Sequence, residues 1–279
     1  MSFASVLAIL SGGSDDADAL KAAARLTREV GGEVRAILAI PTLEDLERDS
    51  GGYMTQDAVD YVQDGNAEVR RGVESVIREV VEQSGLIAAG GRMTLLPEQP
   101  GLEFEVLGET PLCDVLVVGR STFQGLGVWS GVVSAALLAA RLPFMIVGQV
   151  LEPAGVVAIA WDGGQAAGRA VRAALPLLTV ASKVVILQDP EHLSAAQGRS
   201  AAPERLVDYL RLHGVRDIKT IRRPGVSRGD GLSILAKDCG ATLLVAGAFS
   251  HTRLLEAMFR GHTEAMLQGP GPFNLLLTH

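Results

Sequence analysis

The chain reads as two α/β domains in series, each a five-stranded parallel sheet with helices on both faces. Three observations predict this. Strand and helix signals alternate along the chain, the pattern of parallel strands joined by crossover helices. The order of elements repeats once, and 279 residues suit two domains of about 140 residues each. Aromatic residues are 4% of the chain while hydrophobic residues are 48%, so the core must be built from Val, Leu, Ile and Ala, as buried parallel strands prefer.

Each copy opens on a short apolar run, a glycine-rich turn and a helix. In the first, Val6–Leu10 leads through Ser11-Gly12-Gly13-Ser14 to a helix with Ala17, Leu20 and Ala24 on one face. In the second, Val156–Ala160 leads through Trp161-Asp162-Gly163-Gly164-Gln165 to a helix with Ala167, Val171, Ala174 and Leu178 on one face. These spacings match the helical period. Second strands follow at Val34–Ile40 and Lys183–Leu187, then second helices. Val69, Val73, Val76, Ile77 and Val80 form one helical stripe, stopped at Gly85. Leu206, Tyr209, Leu210 and His213 form the other, stopped at Gly214, with His213 read as a partly buried packing residue.

The third unit of the repeat is less symmetric. The second half offers a strand at Ile218–Ile221 and a helix from Gly231 to Cys239. The first half offers Pro97 to Leu112, which is too punctuated by Pro and Gly to predict a helix. Its third strand is either Met93–Leu96 or Leu102–Leu107. Symmetry returns at the ends. Asp114–Gly119 corresponds to Thr242–Gly247, and Pro143-Phe144 and Pro272-Phe273 each introduce a final apolar strand. Gln149 to Ala154 reads as the linker, giving domains at 1–149 and 154–279.

Charge and cysteine content limit the function. The net charge is −7, from 25 basic and 32 acidic residues, and the basic cluster Arg222, Arg223 and Arg228 is short. Phosphate neutralisation supplies most nucleic-acid affinity, so nucleic acid is not an expected partner. Cys113 and Cys239 lack metal-type spacing and are expected to be packed thiols. The five histidines are scattered, so no metal site is expected. No charged-then-apolar leader follows Met1, and the longest apolar stretch, Gly131 to Ala140, is far shorter than the roughly 20 residues of a membrane span. The expectation is a soluble protein of a reducing cytoplasm with no membrane partner. Trp129 and Trp161 read as packing or pocket-wall residues.

In open parallel sheets, ligands bind beyond the carboxyl ends of the strands, where strand order reverses. In the second half two loops should meet there: one carries Asp162, and the other begins at Gly247 and runs through Ser250, His251 and Thr252 to Arg260, Gly261, His262 and Thr263. Together these residues resemble the universal stress protein family, once per half and over essentially the whole chain.

That resemblance implies a flavodoxin-like (adenine nucleotide alpha hydrolase-like) fold with strand order 3-2-1-4-5. It also implies pairing of the copies through their last strands as an internal pseudo-dimer, with a homodimer as a further step. The implied ligand is ATP or another adenine nucleotide, with or without Mg, held by a stress-response regulator without turnover of its own. Asp162, beside Gly163, stands where the family places an acidic contact to the adenosine end. The family's phosphate loop has the form G-x-x-G-x9-G-[S/T]. Gly247 matches its first glycine, Ser250 and Arg260 stand at the second and third, and Gly261 and Thr263 close the loop. His251 and His262 flank it. Glycines there permit positive φ and close backbone approach to an anion, so a side chain at either departing position costs roughly 1–2 kcal/mol if a left-handed backbone is required. The guanidinium of Arg260 offers a phosphate contact instead.

The first half departs further. Ser11 replaces the acidic residue, and the loop reads Gly119-Arg120-Ser121-Thr122, then Gly125, Gly127, Gly131 and Ser134. Asp15 and Asp16 read as helix-dipole partners, and this half is expected to be a degenerate partner domain. Two other functions stay open. Gly225-Val226-Ser227-Arg228-Gly229 matches the nucleophile elbow of serine hydrolases, with Asp238 and His251 or His262 as triad partners. The chain also fits a partner-binding module that has lost its ligand.

Overall fold

The computed structural model describes residues 3–49, 51, 54–124, 141–193, 201–227, 231–247 and 273–279. The chain divides into two compact units, Ser2–Leu142 and Pro143–His279.

In the first unit, β1 (Ser5–Leu10), β2 (Glu33–Leu38), β3 (Arg92–Leu95) and β4 (Val115–Gly119) form parallel ladders in the order β3-β2-β1-β4. Val6 to Leu10 and Val115 to Val118 are buried without a break. Successive strand side chains point to opposite faces, so unbroken burial means that both faces are covered. β3 alternates exposed and half-buried positions, as an edge strand does. Helix α1 (Asp16–Arg28) packs on β1 and β4 and along the long helix α3 (Gln56–Ser84), whose buried Val73, Ile77 and Val80 belong to the expected stripe. Gly85 ends α3 in the left-handed region at φ 69°. A short helix that periodicity did not single out, α2 (Leu43–Asp49), precedes α3.

Two details settle the ambiguous third repeat. The third strand is Arg92–Leu95, and Leu102–Glu109 is a helix, α4, despite its flanking prolines. Gly101 at φ 76° starts it, so Pro97 and Pro100 lie ahead of the helix and not inside it. Pro111 falls in the following 3-10 turn, Thr110–Leu112. After β4 comes the short helix α5 (Arg120–Gln124).

The second unit contains β6 (Val156–Ala160), β7 (Lys183–Gln188), β8 (Ile218–Arg222), β9 (Ala241–Gly247) and β10 (Asn274–Thr278), parallel in the order β10-β9-β6-β7-β8. The order in which the strands are connected reverses between β6 and β9. Helix α6 (Gln165–Leu178) packs on β6, β9 and β10, and buries Ala167, Val171, Ala174 and Leu178. Helix α7 (Pro203–Leu212) buries Leu206 and Leu210, and α8 (Gly231–Asp238) packs on β7 and β9. His213 corrects the expected stripe: it is exposed beyond the end of α7, with its ring 4.6 Å from that of Tyr209. The residue caps the helix and has left the buried face.

The second compact unit begins at Pro143, ahead of the Gln149–Ala154 segment. Strand β5 (Phe144–Val147) pairs antiparallel with β10, Phe144 opposite Leu277 and Ile146 opposite Leu275, which ties it to the second unit. Buried Asn274 reinforces the junction, its Oδ1 accepting from Gly148 N at 3.0 Å and Gln149 N at 3.3 Å.

Candidate functional site

The crevice predicted for the second unit lies at the carboxyl ends of β6 and β9, the strands where the order reverses. Trp161 N donates to Leu187 O at 2.9 Å, which holds the start of the β6 loop to β7. Asp162 follows, half-buried, and its Oδ1 accepts from Gly164 N at 2.7 Å. The carboxylate thereby organises the turn into the first residues of α6. Gly163 adopts φ 79°, and a Cβ there would collide with the backbone of Ala201, so no other residue fits. Gly247, the last residue of β9, approaches the first turn of α6 equally closely: a Cβ would stand 2.7 Å from Ala167 N. Asp162, Gly163 and Gly247 thus meet around one helix N-terminus. The remaining candidates, Ser250, His251, Arg260, Gly261, His262 and Thr263, lie outside the described residues.

A neighbouring arrangement at the ends of β7 and β8 bears on the hydrolase motif. Ser227 is buried, and its Oγ donates to Asp189 Oδ2 at 2.6 Å. The same carboxylate accepts from Ser227 N (3.0 Å), Gly225 N (3.1 Å) and Glu191 N (3.0 Å), and His192 Nδ1 lies 3.0 Å from Oδ2. Burial opposes ionisation of Asp189, but the donors from Ser227, Glu191 and Gly225 outweigh it and hold the carboxyl well below the usual carboxylate range. In a catalytic triad the imidazole stands between serine and carboxylate. Here the carboxylate stands between serine and imidazole, and the expected triad histidines, His251 and His262, lie outside the described residues. Asp189 works as a clamp between two loops. The Asp189-Pro190 pair directly after β7 was its sequence signal.

At the corresponding end of the first unit two carboxylates bond to backbone amides. Asp16 is buried at the start of α1 and accepts from Ser11 N (3.1 Å) and Gly12 N (2.8 Å). Desolvation dominates these bonds and pushes its carboxyl up to about 6. Asp15 reaches across to the start of α5, where Oδ2 accepts from Ser121 N at 2.6 Å and Thr122 N at 3.4 Å. A Cβ at Gly119 would collide with this carboxylate. Ser11 Oγ and Thr122 Oγ1 are hydrogen-bonded at 2.8 Å. An internal carboxylate therefore occupies the backbone amides of Ser121 and Thr122. Asp15 is the N-cap residue of α1 and makes no side-chain capping bond within it.

The described residues contain no cluster of His, Cys, Asp and Glu able to hold a metal ion, and no helix among them is long and apolar enough to cross a membrane. Burial pushes the Cys113 thiol up to about 11, which suits a packed, unreactive cysteine.

No protein-family model and no curated protein sequence matches the chain. Solved structures do. A universal stress protein from Archaeoglobus fulgidus matches with a TM-score of 0.62 at 13% identity, over 99% of this chain and 98% of its own. A Pseudomonas aeruginosa protein provisionally assigned as a universal stress protein matches at 0.56 and 10% identity, over 99% and 93%. The cytoplasmic domain of a prokaryotic cation chloride cotransporter matches at 0.53 and 10%, over 99% and 95%. These likenesses and the strand orders agree: the fold of this chain is that of the universal stress proteins.

Proposed function

We propose that the protein is a member of the universal stress protein family, a regulator that binds an adenine nucleotide in its second unit and does not turn it over. The observation that carries this reading is the convergence of Asp162 and Gly247 on the N-terminus of α6, at the reversal of strand order. Helix N-termini favour anionic groups, and a carboxylate at a strand end suits a ribose hydroxyl pair. Asp162 faces the adenosine end, and the loop beginning at Gly247 holds the phosphates. The Asp15 plug supports a partner role without nucleotide for the first unit.

The test is the nucleotide content of the purified protein together with ATP titration of wild type and Asp162→Ala. The expected result is a loss of affinity of about tenfold or more on substitution. Equal affinity in both proteins, or no binding in either, overturns the reading. A hydrolase acting through Ser227 requires ester turnover that vanishes in Ser227→Ala; the Asp189 clamp supports the opposite result.

A further inference from the structure

Strand β8 ends the sheet of the second unit, with β7 on one side and no described strand on the other. The ladder to β7 fixes which of its backbone groups stay unpaired. Val184 N donates to Asp217 O at 2.8 Å, and Arg223 N donates to Gln188 O at 2.9 Å. In a parallel pair of this register, Lys219 and Ile221 also turn their N–H and C=O groups toward β7. Ile218, Thr220 and Arg222 therefore turn theirs outward.

The side chains along this edge are basic. From Arg216 to Arg223 the sequence has the cations Arg216, Lys219, Arg222 and Arg223 against the single carboxylate of Asp217, in a chain of net charge −7. All of these residues are exposed, and none of the cations makes a salt bridge among the described residues. The edge strand of the first unit is built differently. Arg92 on β3 donates to Glu33 of β2 at 2.9 Å, so its charge is balanced within the sheet.

Fixed charge at a sheet edge acts in two directions. It opposes pairing with an identical edge, because like charges would face each other, so a second copy of this chain is rejected at β8. It favours a strand of opposite charge, since opposite charges across a ladder attract. Nucleic acid would answer the cations but not the row of outward N–H and C=O groups, and the net charge of −7 opposes it. We infer that β8 is a docking edge for an acidic, extended segment of another protein, which adds to the sheet as a further strand. Main-chain bonds to Ile218, Thr220 and Arg222 hold the segment, and the cations from Arg216 to Arg223 select its carboxylates. Strand β7 lies between this edge and the crevice at β6 and β9, so the docking role does not depend on nucleotide binding.

NMR titration of the isotope-labelled protein tests it, using an alternating Glu–Thr peptide of about eight residues, an ordinary strand length. Its companions are the same peptide with its amides N-methylated, an alternating Lys–Thr peptide and single-stranded oligo-dT. Wild type should bind the Glu–Thr peptide at least about tenfold more tightly than the N-methylated form or the Lys–Thr peptide. The largest shifts should fall on the amides of Ile218, Thr220 and Arg222. Lys219→Glu combined with Arg222→Glu reverses charge at exposed positions and should weaken the complex about tenfold or more. Thr220→Pro removes an outward N–H and spares the β7 ladder, as prolines on edge strands do, and should weaken it similarly. Should Thr220→Pro lose its fold, the charge-reversed protein still decides the matter. Absence of Glu–Thr binding to wild type, equal binding of the N-methylated form, tighter binding of oligo-dT, or unchanged affinity in the charge-reversed protein or in folded Thr220→Pro overturns the proposal.

Discussion

The carboxylate of Asp15 accepts a hydrogen bond from the backbone N of Ser121 at 2.6 Å, across the carboxyl ends of β1 and β4. In a sheet of this winding those amides are a natural anion site, and the chain supplies the anion itself.

Asp15→Ala should therefore uncover the Ser121 and Thr122 amides. Losing hydrogen bonds to a charged acceptor costs about 1–3 kcal/mol. Added phosphate or sulfate should restore part of that loss in the variant and do less for wild type. Thermal unfolding at matched ionic strength measures both effects; equal responses to the anion would contradict the plug.

Asp16 gives a pH signature. Its carboxyl is raised from 3.8 to about 6, so the folded state holds the proton more tightly than the unfolded chain. The sign follows: this group's contribution to stability falls as pH rises from about 4 to about 6 and is level above that, by up to roughly 3 kcal/mol. Asp16→Asn should flatten the pH dependence in that window. Denaturant midpoints of both proteins at about pH 4.5 and pH 7 check it.

Asp189 works in the opposite sense. Its carboxyl is depressed in the fold, so it adds stability above the unfolded value near pH 4, and that stability is lost as pH falls further. Asp189→Ala leaves the amides of Ser227, Gly225 and Glu191 without their acceptor and should cost about 3 kcal/mol. Ser227→Ala removes one donor and should cost about 1 kcal/mol. Chemical denaturation distinguishes the two, and the ranking is the testable part.

Two glycines of the same segment should respond oppositely to alanine. Gly163 sits at φ 79° against the Ala201 backbone, so Gly163→Ala should destabilise by about 1–2 kcal/mol or more. Gly168 is helical with open space beside it, so Gly168→Ala should stabilise by up to about 1 kcal/mol. Differential scanning calorimetry reads both as shifts in Tm.

The periodic helices and the unbroken apolar strands were legible in the sequence because burial repeats at 3.6 residues in one and covers every position in the other. Leu102–Glu109 was not. Proline and glycine content argues against a helix on average, and only the backbone shows that Pro97 and Pro100 stand outside it while Gly101 begins it. His213 followed the α7 stripe in period but fell one residue past the helix end, where periodicity no longer dictates burial.

Local pattern thus determined the α/β class, the repeat of elements and the strand ends on which Asp162 and Gly247 sit, since these depend on neighbours a few residues apart. Tertiary structure decided what those ends contain. The Asp15–Ser121 bond spans 106 positions and the Asp189–Ser227 bond spans 38. Separations of that length are set by how strands are ordered in a sheet and how helices pack on it, which no local period encodes.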